Sequence, residues 1–222
     1  PANHTHFDLP VDALGVIRAE SPHYYRGRKD NETEREFCER IIGNLEDLIL
    51  RENPETIAAF VAEPIGGASG VVVAPENYFP EVENLLTKYD IMLWSDEVIC
   101  GFGRTGSPFG CQTMGFNPQL VSLAKQLSSA YLPISASVIP EYMHEAMIEP
   151  SSKVGVFGHG YTYTGHPAAC AAALKTLEIY RRDNLFEHAA DMGEYLQTRL
   201  KEFDSHPLVG EVRGRGLLAA VE

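Results

Sequence analysis

The sequence lacks long apolar runs and an excess of basic residues, and each absence excludes a class of protein. No apolar run among its 222 residues approaches the length of a membrane span, so we expect no association with a membrane. The formal net charge is −13, from 18 lysines and arginines against 31 aspartates and glutamates. Nucleic-acid binding requires clustered basic side chains, so we expect no nucleic-acid partner.

Cysteine is also scarce, and its four positions follow no disulfide or metal-binding pattern. No pair has the spacing of a CxxC motif, so a structural zinc site is not expected. Cys100 and Cys111, the only two that are close in the sequence, are interpreted as small buried apolar residues. Unpaired thiols are typical of reducing compartments, and we therefore predict a cytoplasmic protein. Residues 1–6 show neither an initiator methionine nor a secretory signal, so we expect the parent chain to start upstream.

What the sequence does contain is an alternation of helical and extended patterns. Apolar residues at helical spacing, capping residues and short apolar runs indicate the elements. The predicted elements are a helix at 31–53, a strand at 57–62, a helix at 75–89, strands at 91–96, 120–124 and 134–139, and helices at 141–147, 168–182 and 185–203. A new strand is expected to begin after residue 209. This order predicts an α/β fold whose sheet is mainly parallel and is flanked by helices.

Two of these strands end at side chains that carry chemistry. The run 91–96 stops at Asp96, and the run 120–124 stops before Lys125. Ligands of open α/β sheets bind beyond the carboxyl ends of the strands, so both side chains are expected to face one crevice. A lysine forms a Schiff base with an aldehyde, and an acid keeps a pyridinium nitrogen protonated, which is the pairing that pyridoxal phosphate uses. Taken singly, Asp96 also fits a helix cap or metal ligand, and Lys125 a solvated surface charge.

Residues 101–106 (GFGRTG) formally match the GxGxxG pattern of dinucleotide-binding proteins. That fingerprint requires a strand immediately before it and a helix immediately after it. Here Ser107 and Pro108 follow, and they do not start a helix in the required register. We interpret the segment as a glycine-rich turn in which Arg104 makes a structural contact.

Four motifs stand in a fixed order along the chain. They are residues 62–70 (AEPIGGASG), 95–106 (SDEVICGFGRTG), 123–133 (LAKQLSSAYLP) and 162–167 (TYTGHP). Together they resemble the class III aminotransferases, and within that class they are most similar to ω-transaminases of the amine:pyruvate type. The resemblance covers the chain from about residue 30 to residue 222. It implies the aspartate-aminotransferase-like large domain of PLP fold type I, here as a central fragment that lacks the N- and C-terminal parts.

The resemblance also implies roles for five residues. Lys125 is similar to the lysine that binds pyridoxal 5′-phosphate covalently, and Asp96 to the acid that pairs with the pyridine nitrogen. Val98 resembles the residue that packs against one face of the ring. Thr162 resembles a threonine that reaches the cofactor phosphate of the other subunit, and Glu63 a glutamate near the active site. The position after the lysine, where the family often has glycine, is glutamine here, as in some amine:pyruvate members.

The function implied is transfer of an amino group from an amine or ω-amino acid to a 2-oxo acid such as pyruvate, by a homodimer with shared active sites. Two alternatives stay open. One is other pyridoxal-phosphate chemistry on the same fold, as in a decarboxylase, an aminomutase or a racemase. The other is a truncated fragment without catalysis. Pyruvate consumption with formation of alanine distinguishes the first alternative from transamination.

The resemblance divides the chain into three parts. Residues 1–30 are predicted to be an irregular lead-in, residues 31–204 part of the cofactor-binding large domain, and residues 205–222 the start of a C-terminal small domain. The family's phosphate-binding cup and the aromatic residue that stacks on the ring are not found in this sequence. We therefore expect the 222-residue chain alone to have little transaminase activity.

Overall fold

The chain alternates short strands with helices, as the sequence predicts. The structure is a computed structural model that describes residues 15–222, and residues 1–14, the first part of the predicted lead-in, lie outside the described residues. The helices are α1 (Tyr24–Gly27), α2 (Glu34–Glu52), α3 (Tyr78–Lys88), α4 (Gly110–Met114), α5 (Glu141–Val154), α6 (Pro167–Arg182) and α7 (Leu185–Leu200). The strands are β1 (Ala59–Ala62), β2 (Ile65–Gly66), β3 (Val72–Val73), β4 (Met92–Asp96), β5 (Leu120–Leu123), β6 (Ala136–Val138), β7 (Val212–Arg215) and β8 (Leu218–Val221). Short 3₁₀ turns occupy Pro54–Thr56, Lys125–Leu127 and Lys201–Phe203.

The main sheet has four strands in the order β1-β4-β5-β6. β1 is parallel to β4 and β4 is parallel to β5, whereas β6 is antiparallel to β5 at the edge. The two parallel connections contain α3 and α4, because a parallel crossover is too long for a hairpin and commonly includes a helix. The predicted α/β fold with a mainly parallel sheet is confirmed. Two antiparallel ribbons, β2-β3 and β7-β8, lie outside the main sheet.

The hydrophobic core lies on one face of the main sheet. Along β4, Leu93 and Ser95 are buried, whereas the residues between them are only partly buried, as expected for alternating side chains. α2 and α3 supply most of the apolar side chains that pack there. The N-cap of α2 is Thr33, whose side chain forms a capping box with Glu36, so the helix starts three residues later than the predicted residue 31. The opposite face of β4 carries Asp96 and is partly open.

The predicted lead-in is not irregular throughout, because it contains α1. The Tyr24 ring lies edge-on to Phe37 at 5.6 Å, and its hydroxyl donates a hydrogen bond of 2.8 Å to the Glu32 carbonyl. Arg40 adds a hydrogen bond of 2.9 Å to the Gly27 carbonyl. These contacts give the segment a place on the core that its polar composition does not indicate. The domain boundaries at residues 30 and 204 stay predictions.

Helix α5 is longer than predicted. The sequence predicts a helix over residues 141–147, but the helix continues through Pro150 to Val154. It stops at Gly155, whose φ of 88° is the left-handed conformation that terminates helices at little cost to glycine. No helix within residues 15–222 has both the length and the apolar character needed to cross a bilayer.

The C-terminal segment forms the hairpin β7-β8, where the sequence predicts only the start of one strand. Arg213 attaches the hairpin to the rest of the chain: it pairs with Glu211 at 2.6 Å and with Glu222, and donates a bond of 2.6 Å to the Gly70 carbonyl. The turn contains Gly216, whose φ is 56° and whose Cα lies against α7. Gly193 of α7 faces this turn, and its lack of a Cβ lets the hairpin backbone approach the helix more closely than any other residue would allow.

Two helical glycines provide a matched test of this packing. A Cβ added to Gly43 of α2 meets nothing within 4 Å, whereas one added to Gly193 of α7 lies 2.6 Å from Gly216 Cα. Alanine has the higher helix propensity, so Gly43→Ala is expected to stabilise the protein by roughly 0.5–1 kcal/mol. Gly193→Ala is expected to destabilise it by roughly 1–3 kcal/mol, because the backbone of the hairpin has to move. Urea denaturation measures the change in the free energy of unfolding for both variants. If both variants are stabilised, or both are destabilised, the packing described here is contradicted.

Candidate functional site

The carboxyl ends of three adjacent parallel strands bring together the side chains that the sequence selects. In the β1-β4 register, Ala62 lies opposite Ser95, so Glu63 and Asp96 both follow directly at the same edge. In the β4-β5 register, Asp96 lies opposite Ser122, and Lys125 follows three residues later. The predicted placement of Asp96 and Lys125 at one edge of the sheet is therefore observed, and the same edge includes Glu63 at the end of β1. This is the edge of an α/β sheet where ligands bind.

Asp96 is held by its own backbone turn. Its Oδ1 accepts a hydrogen bond of 3.1 Å from the Val98 N–H, which fixes the orientation of the carboxylate and of the chain that follows. Two residues before Asp96, on the same face of β4, Trp94 donates from Nε1 to Ser122 Oγ at 2.9 Å. This bond joins β4 to β5 below the site. Val98 is partly buried two residues after Asp96, and its role against the cofactor ring stays a prediction.

Lys125 begins a tight turn with unusual backbone angles. Its φ is 42°, and Ser129 and Ala130 in the same turn have φ of 47° and 61°. L-residues adopt this left-handed region at a cost of about 1–2 kcal/mol each, and such conformations cluster at functional sites. The Lys125 carbonyl accepts from the N–H groups of Ser128 and Ala130, each at 3.3 Å. The turn lines an open pocket of about 300 Å³ with Lys125, Ser128, Ala130, Leu132, Pro133 and Ile134.

Glu63 is a half-buried carboxyl at the end of β1. Its Oε2 accepts a hydrogen bond of 3.0 Å from the Gly67 N–H. Burial raises the pKa of this carboxyl, the Gly67 bond lowers it, the charge of Asp96 raises it, and the charge of Lys125 lowers it. The net change is upward. The three side chains therefore lie close enough for their charges to interact.

The raised pKa of Glu63 predicts a pH-dependent stability. Folded protein holds the Glu63 proton more tightly than unfolded protein, so folding takes up a proton at pH values between the ordinary pKa of 4.5 and the higher folded pKa. The contribution of Glu63 to the free energy of unfolding is therefore full below pH 4.5 and is lost as the pH rises through the folded pKa. In Glu63→Gln this loss is expected to disappear. Chemical denaturation at several pH values measures the difference, with the exposed Glu149→Gln as control.

A neighbouring carboxyl, Glu97, was not selected by the sequence reasoning. It is fully buried, on the core face of the sheet, and accepts from the N–H groups of Gly110 and Cys111 at 2.8 and 2.7 Å. The Ser95 hydroxyl donates to it at 3.2 Å. Glu97 thus attaches the turn after Asp96 to the start of α4. Side chains alternate along a strand, so Asp96 and Glu97 are expected on opposite faces of the sheet. This pattern could have identified Glu97 as a buried structural carboxyl.

The cysteines near this turn are buried, as predicted. Burial is the largest cause that raises the pKa of Cys100 and of Cys111, in each case to about 12. Neither thiol therefore supplies a nucleophilic thiolate near neutral pH.

The glycine-rich segment 101–106 forms turns between β4 and α4. A Cβ added to Gly103 lies 2.7 Å from the Phe186 ring, and one added to Gly106 lies 3.3 Å from Ala190 Cα. The Arg104 carbonyl accepts a hydrogen bond of 2.9 Å from the Leu217 N–H. The glycines thus allow α7 to approach, and Arg104 makes the predicted structural contact through its backbone.

Thr162 lies apart from these residues. It belongs to the exposed segment between α5 and α6, where Tyr161 and Tyr163 are 84 % and 79 % exposed. Within the part of the chain that the structure describes, Thr162 makes no hydrogen bond or ion pair with Glu63, Asp96 or Lys125. The role implied for Thr162, across a subunit interface, stays a prediction.

The side chains at the edge of the sheet have the chemistry that pyridoxal 5′-phosphate requires. Lys125 supplies a primary amine and Asp96 a carboxylate, on adjacent parallel strands. The pocket beside Lys125, about 300 Å³, is at the lower end of the range of about 300–1,000 Å³ for small-molecule sites. These residues fit the aldehyde and ring-nitrogen ends of the cofactor.

Comparison with known proteins decides the family. Residues 4–222 match the sequence profile described as Aminotransferase class-III. The chain belongs to the class III aminotransferases. The resemblance stated from four motifs is thus confirmed, and pyridoxal phosphate is the cofactor that the family implies.

Individual class III relatives match over the whole of this chain. The "Gamma aminobutyrate transaminase 3, chloroplastic" of Solanum lycopersicum is 49 % identical over 222 residues, which are 100 % of this chain and 42 % of that protein. The "Probable gamma-aminobutyrate transaminase 3, mitochondrial" of Oryza sativa subsp. indica is 48 % identical and is covered to 43 %. The omega transaminase of Pseudomonas jessenii, solved in complex with PMP, is 49 % identical with a TM-score of 0.95, and 49 % of it is covered. The chain spans about half the length of the relatives that it matches.

The predicted cytoplasmic location is wrong. The two plant relatives carry chloroplastic and mitochondrial in their names, although the chain is nearly half identical to each of them. The prediction rested on four unpaired cysteines, which are buried or partly buried here. Unpaired thiols indicate a reducing environment but do not distinguish one reducing compartment from another.

Proposed function

We propose that this protein transfers an amino group from a primary amine or ω-amino acid to a 2-oxo acid such as pyruvate, with pyridoxal 5′-phosphate as cofactor. The observation that carries the proposal is the position of Lys125 and Asp96 at the carboxyl ends of adjacent parallel strands in a class III aminotransferase. The names of the relatives, gamma-aminobutyrate transaminase and omega transaminase, support a donor substrate whose amino group is not on the carbon next to a carboxylate.

Lys125 and Asp96 have complementary tasks in this proposal. Lys125 Nζ would hold the aldehyde end of the cofactor covalently, and its free amine would move the proton of the substrate Cα. Asp96, oriented by the Val98 N–H at 3.1 Å, pairs with the protonated ring nitrogen. When bound, the cofactor supplies a cationic ring that takes up the charge left on the substrate carbon. Val98 packs against one ring face.

Glu63 completes the acidic side of the crevice. Its carboxyl is held by the Gly67 N–H, and its raised pKa reflects burial together with the nearby Asp96 charge. A carboxyl of this kind binds a cationic group of the substrate or protein best at pH values above its pKa. We therefore place Glu63 near the amine substrate in this proposal.

We also propose a homodimer in which Thr162 reaches the cofactor phosphate of the second copy. Thr162 lies between two tyrosines that are 84 % and 79 % exposed, and Val156 and Phe157 in the same segment are 63 % and 54 % exposed. A run of exposed apolar and aromatic side chains is typical of a protein interface. Equilibrium sedimentation measures the oligomeric state directly.

A single half-transfer tests the proposal without requiring turnover. The protein is loaded with pyridoxal 5′-phosphate and mixed with an amine donor, and pyridoxamine phosphate is quantified by chromatography. We expect formation of pyridoxamine phosphate and the carbonyl product in equal amounts, and addition of pyruvate is expected to yield alanine. A decarboxylase would instead release carbon dioxide, and a racemase would invert the donor without transferring its amino group. Absence of pyridoxamine phosphate with every donor class contradicts the proposal.

A further inference from the structure

The turn that begins at Lys125 is held from outside by one side chain of α6. The Tyr180 hydroxyl donates a hydrogen bond of 2.8 Å to the Gln126 carbonyl and lies 2.7 Å from Ser129 Oγ. A phenol has only one hydrogen, which the Gln126 carbonyl receives, so Ser129 is the donor in the second contact. Tyr180 therefore joins the two ends of a turn whose first residue is Lys125.

The Tyr180 bridge stabilises a turn whose backbone angles are unfavourable for residues other than glycine. Lys125, Ser129 and Ala130 have φ of 42°, 47° and 61°, and none of them is glycine. Residues in this region persist where the surroundings determine their conformation. The N–H groups of Ser128, Ser129 and Ala130 donate at 3.3 Å and that of Tyr131 at 3.0 Å, and Ser128 Oγ donates to the Leu132 carbonyl at 2.6 Å. The Tyr180 contacts, at 2.8 and 2.7 Å, are shorter than these backbone bonds and add to them.

The Tyr180 ring also contacts the loop that follows Asp96. It lies 6.5 Å from the Phe102 ring and 5.7 Å from the Phe186 ring, centroid to centroid. Gly103 makes room for Phe186, because a Cβ there would lie 2.7 Å from its ring. One side chain thus touches the segment after β4 through its ring and the segment after β5 through its hydroxyl. Asp96 is the last residue of β4, and Lys125 is the second residue after β5.

We propose that Tyr180 is a positioning residue that holds Lys125 in register with Asp96. Its hydroxyl keeps the Lys125 turn in the left-handed conformation, and its ring fixes that turn relative to the Asp96 loop. The inference rests on the proposed function, since it gives Lys125 the role of the cofactor-binding lysine. Within residues 15–222, the Tyr180 hydroxyl bonds to Gln126 and Ser129 and makes no hydrogen bond to Lys125 Nζ.

The test compares Tyr180→Phe, which removes only the hydroxyl, with Ser129→Ala and with the control Tyr195→Phe, an exposed tyrosine of α7. Amide hydrogen exchange is measured for residues 126–131 without cofactor. Loss of the bridge is expected to raise exchange there about fivefold in Tyr180→Phe, less in Ser129→Ala, and not in the control. Unchanged exchange in Tyr180→Phe overturns the inference whether or not Lys125 binds a cofactor. If Tyr180→Phe does not fold, the same outcome in Ser129→Ala decides.

A second measurement distinguishes positioning from general stability. Each protein is mixed with pyridoxal 5′-phosphate, reduced with borohydride, and labelling at Lys125 relative to Lys175 is measured by peptide mass spectrometry across a range of pH. We expect about a tenfold lower ratio in Tyr180→Phe at every pH, at temperatures far below its melting point. A wild-type ratio in this variant overturns the inference. Failure of wild-type protein to label Lys125 in preference to Lys175 instead contradicts the proposed function.

Discussion

Lys125→Ala is expected to abolish covalent capture of pyridoxal 5′-phosphate and, with it, the half-transfer of the amino group. The amine of Lys125 is assigned two tasks, attachment of the cofactor and transfer of the substrate proton, and alanine performs neither. The fold should survive, because Lys125 is exposed at the start of its turn. Alanine also tolerates φ of 42° about as poorly as lysine, so the strain of the turn is unchanged.

The measurement is the amount of borohydride-stable label per protein, located by peptide mass spectrometry. Lys175→Ala is the matched control, since Lys175 is an exposed lysine of α6 that pairs with Glu178 at 2.7 Å. Asp96→Asn is a second comparison: the amide oxygen still accepts from the Val98 N–H, but the charge is absent. We expect Asp96→Asn to keep the label and lose most of the transfer. If Lys125→Ala carries as much label as the wild type, the cofactor is attached to a different lysine.

The sequence predicts these two residues because the rule that locates them is topological. Parallel strands end at one edge of a sheet, so a strand that stops at Asp96 and another that stops before Lys125 place both side chains there. Asp96 and Lys125 lie at the same edge of a parallel sheet whatever the order of its strands. The position of Glu63 beside them follows from the β1-β4 register, which pairs Ala62 with Ser95. No local pattern fixes that register.

Residues that support the site from a distance were not predictable in the same way. Tyr180 lies 54 residues from Gln126, and its place depends on the packing of α6 and α7 against the glycine-rich loop. Glu97 was adjacent to a selected residue, yet its partners, Gly110 and Cys111, lie across a turn. Helix α5 is longer than predicted, since it accommodates Pro150 and ends only where Gly155 adopts a left-handed conformation. Each of these outcomes is decided by tertiary contacts or by a single backbone conformation.

Glu97→Ala is expected to lower the free energy of unfolding by about 3–5 kcal/mol, the largest stability change we predict. The substitution leaves the N–H groups of Gly110 and Cys111 and the Ser95 hydroxyl without their acceptor in a fully buried place. Each buried donor left unpaired costs about 1–3 kcal/mol. Glu97→Gln keeps one acceptor oxygen and is expected to lose roughly half as much.

Urea denaturation measures these changes, with Glu149→Ala as the control, because Glu149 is 78 % exposed and pairs only with Lys153 on the surface of α5. The same variants separate stability from function. Since Glu97 fixes the turn after Asp96, Glu97→Gln should also reduce amino-group transfer while keeping the label on Lys125, as Asp96→Asn does, whereas Glu149→Ala should change neither. If Glu97→Ala unfolds at the same urea concentration as the wild type, the donors have found water or other partners. In that case α4 is not held by Glu97, and the orientation of Asp96 depends on the Val98 N–H alone.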